Sequence, residues 1–260
     1  MRAVLGIDAA WTVHNPSGVA LAAQRDGAWH LVAVAPSFAA FYALRGAKEQ
    51  TAFDAPRLLD DATHLAGARP DLVALDMPLM DGLITTRRRS DNAIASAYGA
   101  RGASTHSPSA LRPGPLAVDM LAALTSLGYP LLCTNPITGP GTLEVYPHPA
   151  LIELTGAARR LPYKVHNRGK YWPALTGPER LANLFAQWTT ILAALDIVLP
   201  GTAALAPLPA PDAPLRHLKA FEDSLDAIIC AWVGICALEG RAIAHGDARS
   251  AIWVPAPYGT

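Results

Sequence analysis

The sequence predicts an α/β fold: a mixed central sheet, with an antiparallel three-stranded meander followed by parallel strands, flanked by helices. Three observations predict it. Residues 3–8 (AVLGID) and 71–76 (DLVALD) are nearly continuous apolar runs that each end in an acid, the pattern of strands buried on both faces. Between the apolar runs 17–24 and 28–35 stands Arg25-Asp26-Gly27, and an Asp-Gly turn in that position is a hairpin signal. Residues 56–68, with Pro56 near the start, read as a helix separating these three strands from the fourth.

A strand, a helix and another strand require a crossover, which lays 71–76 parallel to an earlier strand. With the first strand as its neighbour, Asp8 and Asp76 emerge at one edge of the sheet, where open α/β sheets hold their ligands. The rest of the chain reads as a polar, arginine-rich segment (85–112), a helix (about 115–127), a short strand near 130–133 and a strand at 142–146 (TLEVY). A proline-bounded helix follows from about 149, then a loop rich in Lys, Arg, Asn and Gly (163–172), a helix at 178–195 and a last helix over about 216–239. In that last helix Leu218, Phe221, Leu225, Ile228, Ile229, Trp232 and Cys236 form one apolar stripe, with Glu222, Asp223 and Asp226 at its border.

Of the 260 residues 51% are hydrophobic and 16% charged, ample apolar surface for one large core and little case for disorder. The expectation is a single domain over 1–260, with an inserted arginine-rich segment at about 80–116 and a Pro/Ala-rich surface loop or lid at about 200–216. Lys plus Arg and Asp plus Glu number 21 each, so a nucleic-acid partner has to be held by a local basic patch. Cys133, Cys230 and Cys236 form no CxxC pair and are odd in number, against a disulfide framework or zinc site and for a reducing, cytoplasmic setting. Asp8 breaks the first apolar run before signal-peptide length, and prolines and glycines break the uncharged stretch from Asp119 to Glu144, so no membrane partner is expected.

The stretches GIDAAWTVHNPSGVAL (6–21), LDMPL (75–79), RRRSDNAIASAYGAR (87–101), LEVYPHP (143–149) and FEDSLDAIICAWVG (221–234) resemble, in order, the domain-of-unknown-function family numbered 429. That family is held to consist of nucleases of the RNase H fold. The resemblance to the wider RNase H-like superfamily implies a metal site made by an acid on the first strand, an acid ending the fourth, and one or two acids on the last helix. Here those roles fall on Asp8, on Asp76, and on Asp226 with Asp223; Glu144 is the candidate for a further ligand.

Several carboxylates in one crevice repel each other, and Mg²⁺ or Mn²⁺ relieves that repulsion because hard cations prefer oxygen ligands. A phosphodiester is the natural substrate for such a site. Asp223 reads equally as a ligand or a solvent-facing acid, and Glu144 equally as a ligand or an outward strand residue. Arg88 and Arg89, in the run 87–89 before Asp91, and Arg101 and Arg112, which flank a Ser/Thr-rich stretch, either position phosphates or belong to a solvated surface run with local Arg to Asp pairing. Lys164 and Lys170, interleaved with Tyr163, Tyr171 and Trp172, suit contact with a nucleic-acid backbone and stacking on bases, or packing onto the domain. His148 and His217 fall near the acids in sequence as possible proton carriers, and Trp11 with Asn15-Pro16-Ser17 as a pocket floor. P-loop, GxGxxG, GxSxG and HExxH motifs are absent from the sequence. The reading is a divalent-metal-dependent nuclease; the alternatives are a non-catalytic nucleic-acid or ligand-binding protein of the same fold, and a phosphotransferase of the actin and sugar-kinase type, which would need a duplicated half.

Overall fold

The computed structural model describes residues 1–12, 14–46 and 51–257. The strands β1 (Ala3–Asp8), β2 (Gly18–Arg25) and β3 (Ala28–Ala35) pair antiparallel in succession. Asp26 and Gly27 both take positive φ, 51° and 82°, as the two-residue turn between β2 and β3 requires. Next come α1 (Phe38–Ala43) and α2 (Ala55–Ala66), the latter opened by the Asp54 side chain, which accepts from the Arg57 N–H at 3.0 Å. Helix α2 carries the chain back across the sheet, so that β4 (Leu72–Leu75) lies parallel to β1 with Ile7 opposite Leu75.

The sheet has seven strands in the order β3-β2-β1-β4-β5-β7-β6, where β5 is Gly141–Val145, β6 Ala242–Asp247 and β7 Ser250–Pro255. Strands β4, β5 and β7 run parallel to β1, and β6 returns antiparallel. The mixed sheet, meander first and parallel strands after, is the fold class expected from the sequence. Alternation along the strands splits the core in two. Val4, Ala74 and Leu143 face α5 (Pro147–Thr155), α7 (Gly177–Val198) and α9 (Leu215–Leu238), whereas Leu5, Ile7, Val73 and Leu75 face α1, α2 and α4 (Pro115–Ser126). Helix α7 is long and apolar enough in composition to cross a membrane, but Leu184, Trp188, Ile191 and Leu195 bury one side of it in this core.

Several expectations need correction. Residues 130–133 form no strand, only an isolated bridge from Leu131 to Thr142, because Pro130 has no N–H to continue a ladder. The C-terminal β6-β7 hairpin was not foreseen. Nor is the arginine-rich segment irregular throughout: α3 (Arg89–Tyr98) packs on β6 and β7, and its Ile94 and Tyr98 join Ile152, Ile252 and Val254 in a third apolar cluster. The stretches expected as loops at 163–172 and 200–216 contain the short helices α6 (Arg168–Tyr171) and α8 (Thr202–Leu205).

Helix α9 lies unusually close to the sheet, and glycines permit it. A Cβ on Gly6 would stand 2.2 Å from the Ala227 carbonyl oxygen, one on Gly18 2.1 Å from that of Asp223, and one on Gly234 2.6 Å from Val4 Cγ1. Taken in order, Asp223 sits over Gly18, Ala227 and Ala231 over Gly6, and Gly234 over Val4, so α9 runs antiparallel to β1 with its acids at the Asp8 end.

Candidate active site

Asp8 closes β1 opposite Gly18, and Asp76 follows β4 with its N–H donating to the Ile7 carbonyl at 2.8 Å. The two acids therefore stand side by side at one end of adjacent parallel strands. Both project on the α9 side, in step with Val4 and Gly6 on one strand and Leu72 and Ala74 on the other. No hydrogen bond or ion pair to either carboxylate occurs among the described residues. Burial pushes the Asp8 carboxyl well above the usual carboxylate range, and the neighbouring Asp226 charge adds to it. The same two causes, in the same order, raise Asp76 from 3.8 to about 7.

The α9 acids are differently placed. Three consecutive residues, 163–165, clamp them: the Tyr163 hydroxyl donates to Asp226 Oδ1 at 2.6 Å, the Lys164 ammonium contacts Asp226 Oδ2, and the Val165 N–H donates to Glu222 at 2.5 Å. Lys164 also stands 3.7 Å from Glu222, while Lys219 bonds Glu222 at 2.8 Å and contacts Asp223. Burial pushes the Glu222 carboxyl up, but the two lysines outweigh it and hold it below the usual range. Asp226 is fully buried, with a partner on each oxygen.

Glu144 is not an outward-facing strand residue. Its register with Leu75 turns it to the face of the sheet opposite Leu143 and the α9 acids, and there it is buried against Arg88. The Arg88 guanidinium reaches both Glu144 oxygens, at 2.5 and 2.7 Å, and bonds Asp91 at 2.8 Å. Burial disfavours that charge, yet the two carboxylates keep the guanidinium firmly protonated. Arg88 is 5% exposed, and its guanidinium is taken up by this buried ion-pair network. Arg89 is exposed, 3.7 Å from Asp247, and lines a groove of about 410 Å³ with Arg87 and Arg249. Lys170 is exposed on α6 and does not line the cleft of the acids. His148 is buried beside the Tyr163 ring, with centroids 5.2 Å apart, and burial holds it neutral; His217 is exposed on the first turn of α9.

Asp8, Asp76 and Asp223 open into a cleft of about 760 Å³, whose floor includes Trp11, Asn15 and Pro16 as expected. The cleft is also lined by Arg112, one of the arginines read from the sequence as a phosphate-positioning candidate, and by groups that sequence reasoning did not assign: Lys219, His106, His166, Ser107 and Ser109. Arg112 stacks over the Trp11 ring, 5.9 Å from its centroid, and the Arg112, His106 and His166 side chains make no hydrogen bond or ion pair among the described residues. Lys219 was legible in principle, since it stands three and four residues before Glu222 and Asp223 on one helix. Loop residues brought together from 106–109 and 166 leave no comparable spacing signal.

Among the described residues, no three His, Cys, Asp or Glu side chains converge as a ready cage for a metal ion. The α9 acids are held by Lys164, Lys219 and Tyr163. The donor chemistry of Asp8 and Asp76 nevertheless fits a hard divalent cation: two carboxylates without partners, destabilised by burial and by the neighbouring Asp226 charge, lining an open cleft.

A family model described as "Protein of unknown function (DUF429)" matches residues 6–250. Neither the curated proteins nor the solved structures yield a match.

Proposed function

The chain belongs to the DUF429 family, whose description assigns no activity, and from the cleft we propose a divalent-metal-dependent phosphodiester hydrolase, a nuclease in the sense of the RNase H-like resemblance. The observation that carries this reading is the pair Asp8 and Asp76 on adjacent parallel strand ends, without hydrogen-bond partners among the described residues, lining one cleft together with cationic and hydroxyl side chains. The strand order β3-β2-β1-β4-β5 and the closely packed α9 support it.

Asp8 and Asp76 would hold Mg²⁺ or Mn²⁺, which when bound polarises a phosphoryl oxygen and lowers the pKa of water. The remaining work falls to the chain. Arg112, which lines the same cleft as the acids, attracts and orients the anionic phosphate oxygens by charge-assisted hydrogen bonds. The Trp11 ring, backed by Arg112, offers a stacking surface for a base. A ring N–H of His106 or His166 can deliver a proton to the leaving oxygen.

The test is calorimetric titration of the metal-free protein with Mn²⁺, paired with hydrolysis of bis(p-nitrophenyl) phosphate. Saturable uptake that Asp8→Asn abolishes, with activity falling at least ~10²-fold, is the expected result. Uptake that is absent, or indifferent to Asp8→Asn and Asp76→Asn alike, removes the mechanism. Phosphoester binding without turnover would point instead to the non-catalytic alternative.

A further inference from the structure

The Lys164 ammonium lies against the α9 acids, at the end of the sheet where Asp8 and Asp76 stand. It contacts Asp226 Oδ2, stands 3.7 Å from Glu222, and its charge is felt by Asp8 and Asp76. Its position is fixed from both sides. Tyr163 before it and Val165 after it are fully buried, each bonded to an α9 acid, and the Tyr163 carbonyl accepts from Trp188 Nε1 at 2.9 Å. With the backbone on both sides anchored, withdrawing the ammonium would leave Asp226 as a buried charge without its cation.

From this we infer that Lys164 is a built-in cation of the cleft: it permanently fills the position of a second metal ion, so the site takes one divalent ion, on Asp8 and Asp76, and Asp226 stays with Lys164. The inference rests on the reading of the cleft as a divalent-metal site. It gives Lys164 a positioning role, replacing by a tethered charge the ion that two-metal sites hold ~3.5–4 Å from the first. Asp226 is then a counter-ion to Lys164 and only indirectly a metal residue.

Counting Mn²⁺ on the full chain tests this, by calorimetric stoichiometry and by electron paramagnetic resonance, which distinguishes an isolated ion from a spin-coupled pair. The wild type should saturate with one uncoupled ion, and Lys164→Arg, which keeps the charge, should do the same. Lys164→Met should take up a second ion with a coupled spectrum, and its melting temperature should rise more on Mn²⁺ addition than that of the wild type. A coupled pair in the wild type overturns the inference by itself, whether or not Lys164→Met folds; so does a folded Lys164→Met that still binds one ion. A wild type that binds no Mn²⁺ brings down the metal reading of the cleft, and this inference with it. One ion in every variant, lost only in Asp8→Asn, leaves the cleft reading standing and removes the role of Lys164.

Discussion

At the scale of single residues, the site is governed by which carboxylates have partners. Asp76, whose carboxyl titrates at about 7 against 3.8 unperturbed, binds its proton more tightly in the folded chain than in the unfolded one. Its contribution is therefore fully present below about pH 4 and is lost as pH rises through about 7. Metal-free protein should lose stability over that window. The full shift corresponds to on the order of 4 kcal/mol, and screening at the open cleft cuts this to about 2 kcal/mol. Urea unfolding in a chelator at about pH 5 and about pH 8 measures it, with Asp76→Asn expected to flatten the difference; a wild type equally stable at both would refute the buried-acid account. Arg88 is the opposite case, a buried cation with both partners in place. Arg88→Met leaves Glu144 and Asp91 uncompensated and should cost about 3–5 kcal/mol, part of it recovered by adding Glu144→Met. Denaturation midpoints of the two variants decide the matter, a loss under about 1 kcal/mol for the single variant counting against it. The two aspartates at the strand ends were legible because an apolar run delivers each of them. Glu144 misled because a one-residue alternation in TLEVY chooses the face, and sequence alone does not say which face the helix with the acids covers.

At the scale of elements, the closeness of α9 to the sheet sets where its acids stand, and Gly6, in the middle of β1, is one of its tightest points. A methyl group there meets the backbone of Ala227 and Ala231 at 2.2 and 2.4 Å, atoms that cannot rotate aside. Gly6→Ala should therefore cost about 3 kcal/mol or more and lift α9 from the strand ends, weakening Mn²⁺ uptake as well. Gly139→Ala, where an added Cβ meets nothing within 4 Å, is the control and should leave both unchanged. Thermal melts and the same titration read the result, and a Gly6→Ala protein as stable as wild type would mean that the contact is slack. The meander, the crossover and α9 were legible because each follows from a strong local signal: an Asp-Gly turn, a continuous apolar run, or a stripe of helical period. The β6-β7 hairpin was not. Strand β6 is an edge strand, AIAHGD, with Ile243 44% exposed and Gly246 interrupting the run, so neither alternation nor a continuous apolar stretch marks it. Helix α3 was hidden by its polar composition, since tertiary packing of Ile94 and Tyr98 on β6 and β7, more than its own sequence, holds it.

At the scale of the whole molecule, charge balance limits how a polyanion can be held. With Lys plus Arg and Asp plus Glu at 21 each, no long-range attraction draws nucleic acid in, and contact depends on the few cations not already spent within the fold. Arg88, Lys164 and Lys219 are spent on Glu144, Asp226 and Glu222 respectively. Arg112 in the cleft and the exposed Arg89 and Arg249 in the neighbouring groove are available; Arg87, which lines that groove, bonds Ser107 of the cleft at 3.0 Å and so joins the two hollows. Each phosphate neutralised on a single strand contributes about −0.7 to the slope of log K against log salt, so three or four such arginines give a slope between about −2 and −3. Fluorescence anisotropy of a labelled single strand, titrated from low to physiological salt in the presence of a chelator to prevent cleavage, measures that slope. Arg112→Ala and Arg249→Ala should each reduce its magnitude by about 0.7. A slope steeper than about −5 would require a broad basic surface that this balance of charges does not supply, and a flat one would restrict the substrate to small phosphoesters that fit within the cleft.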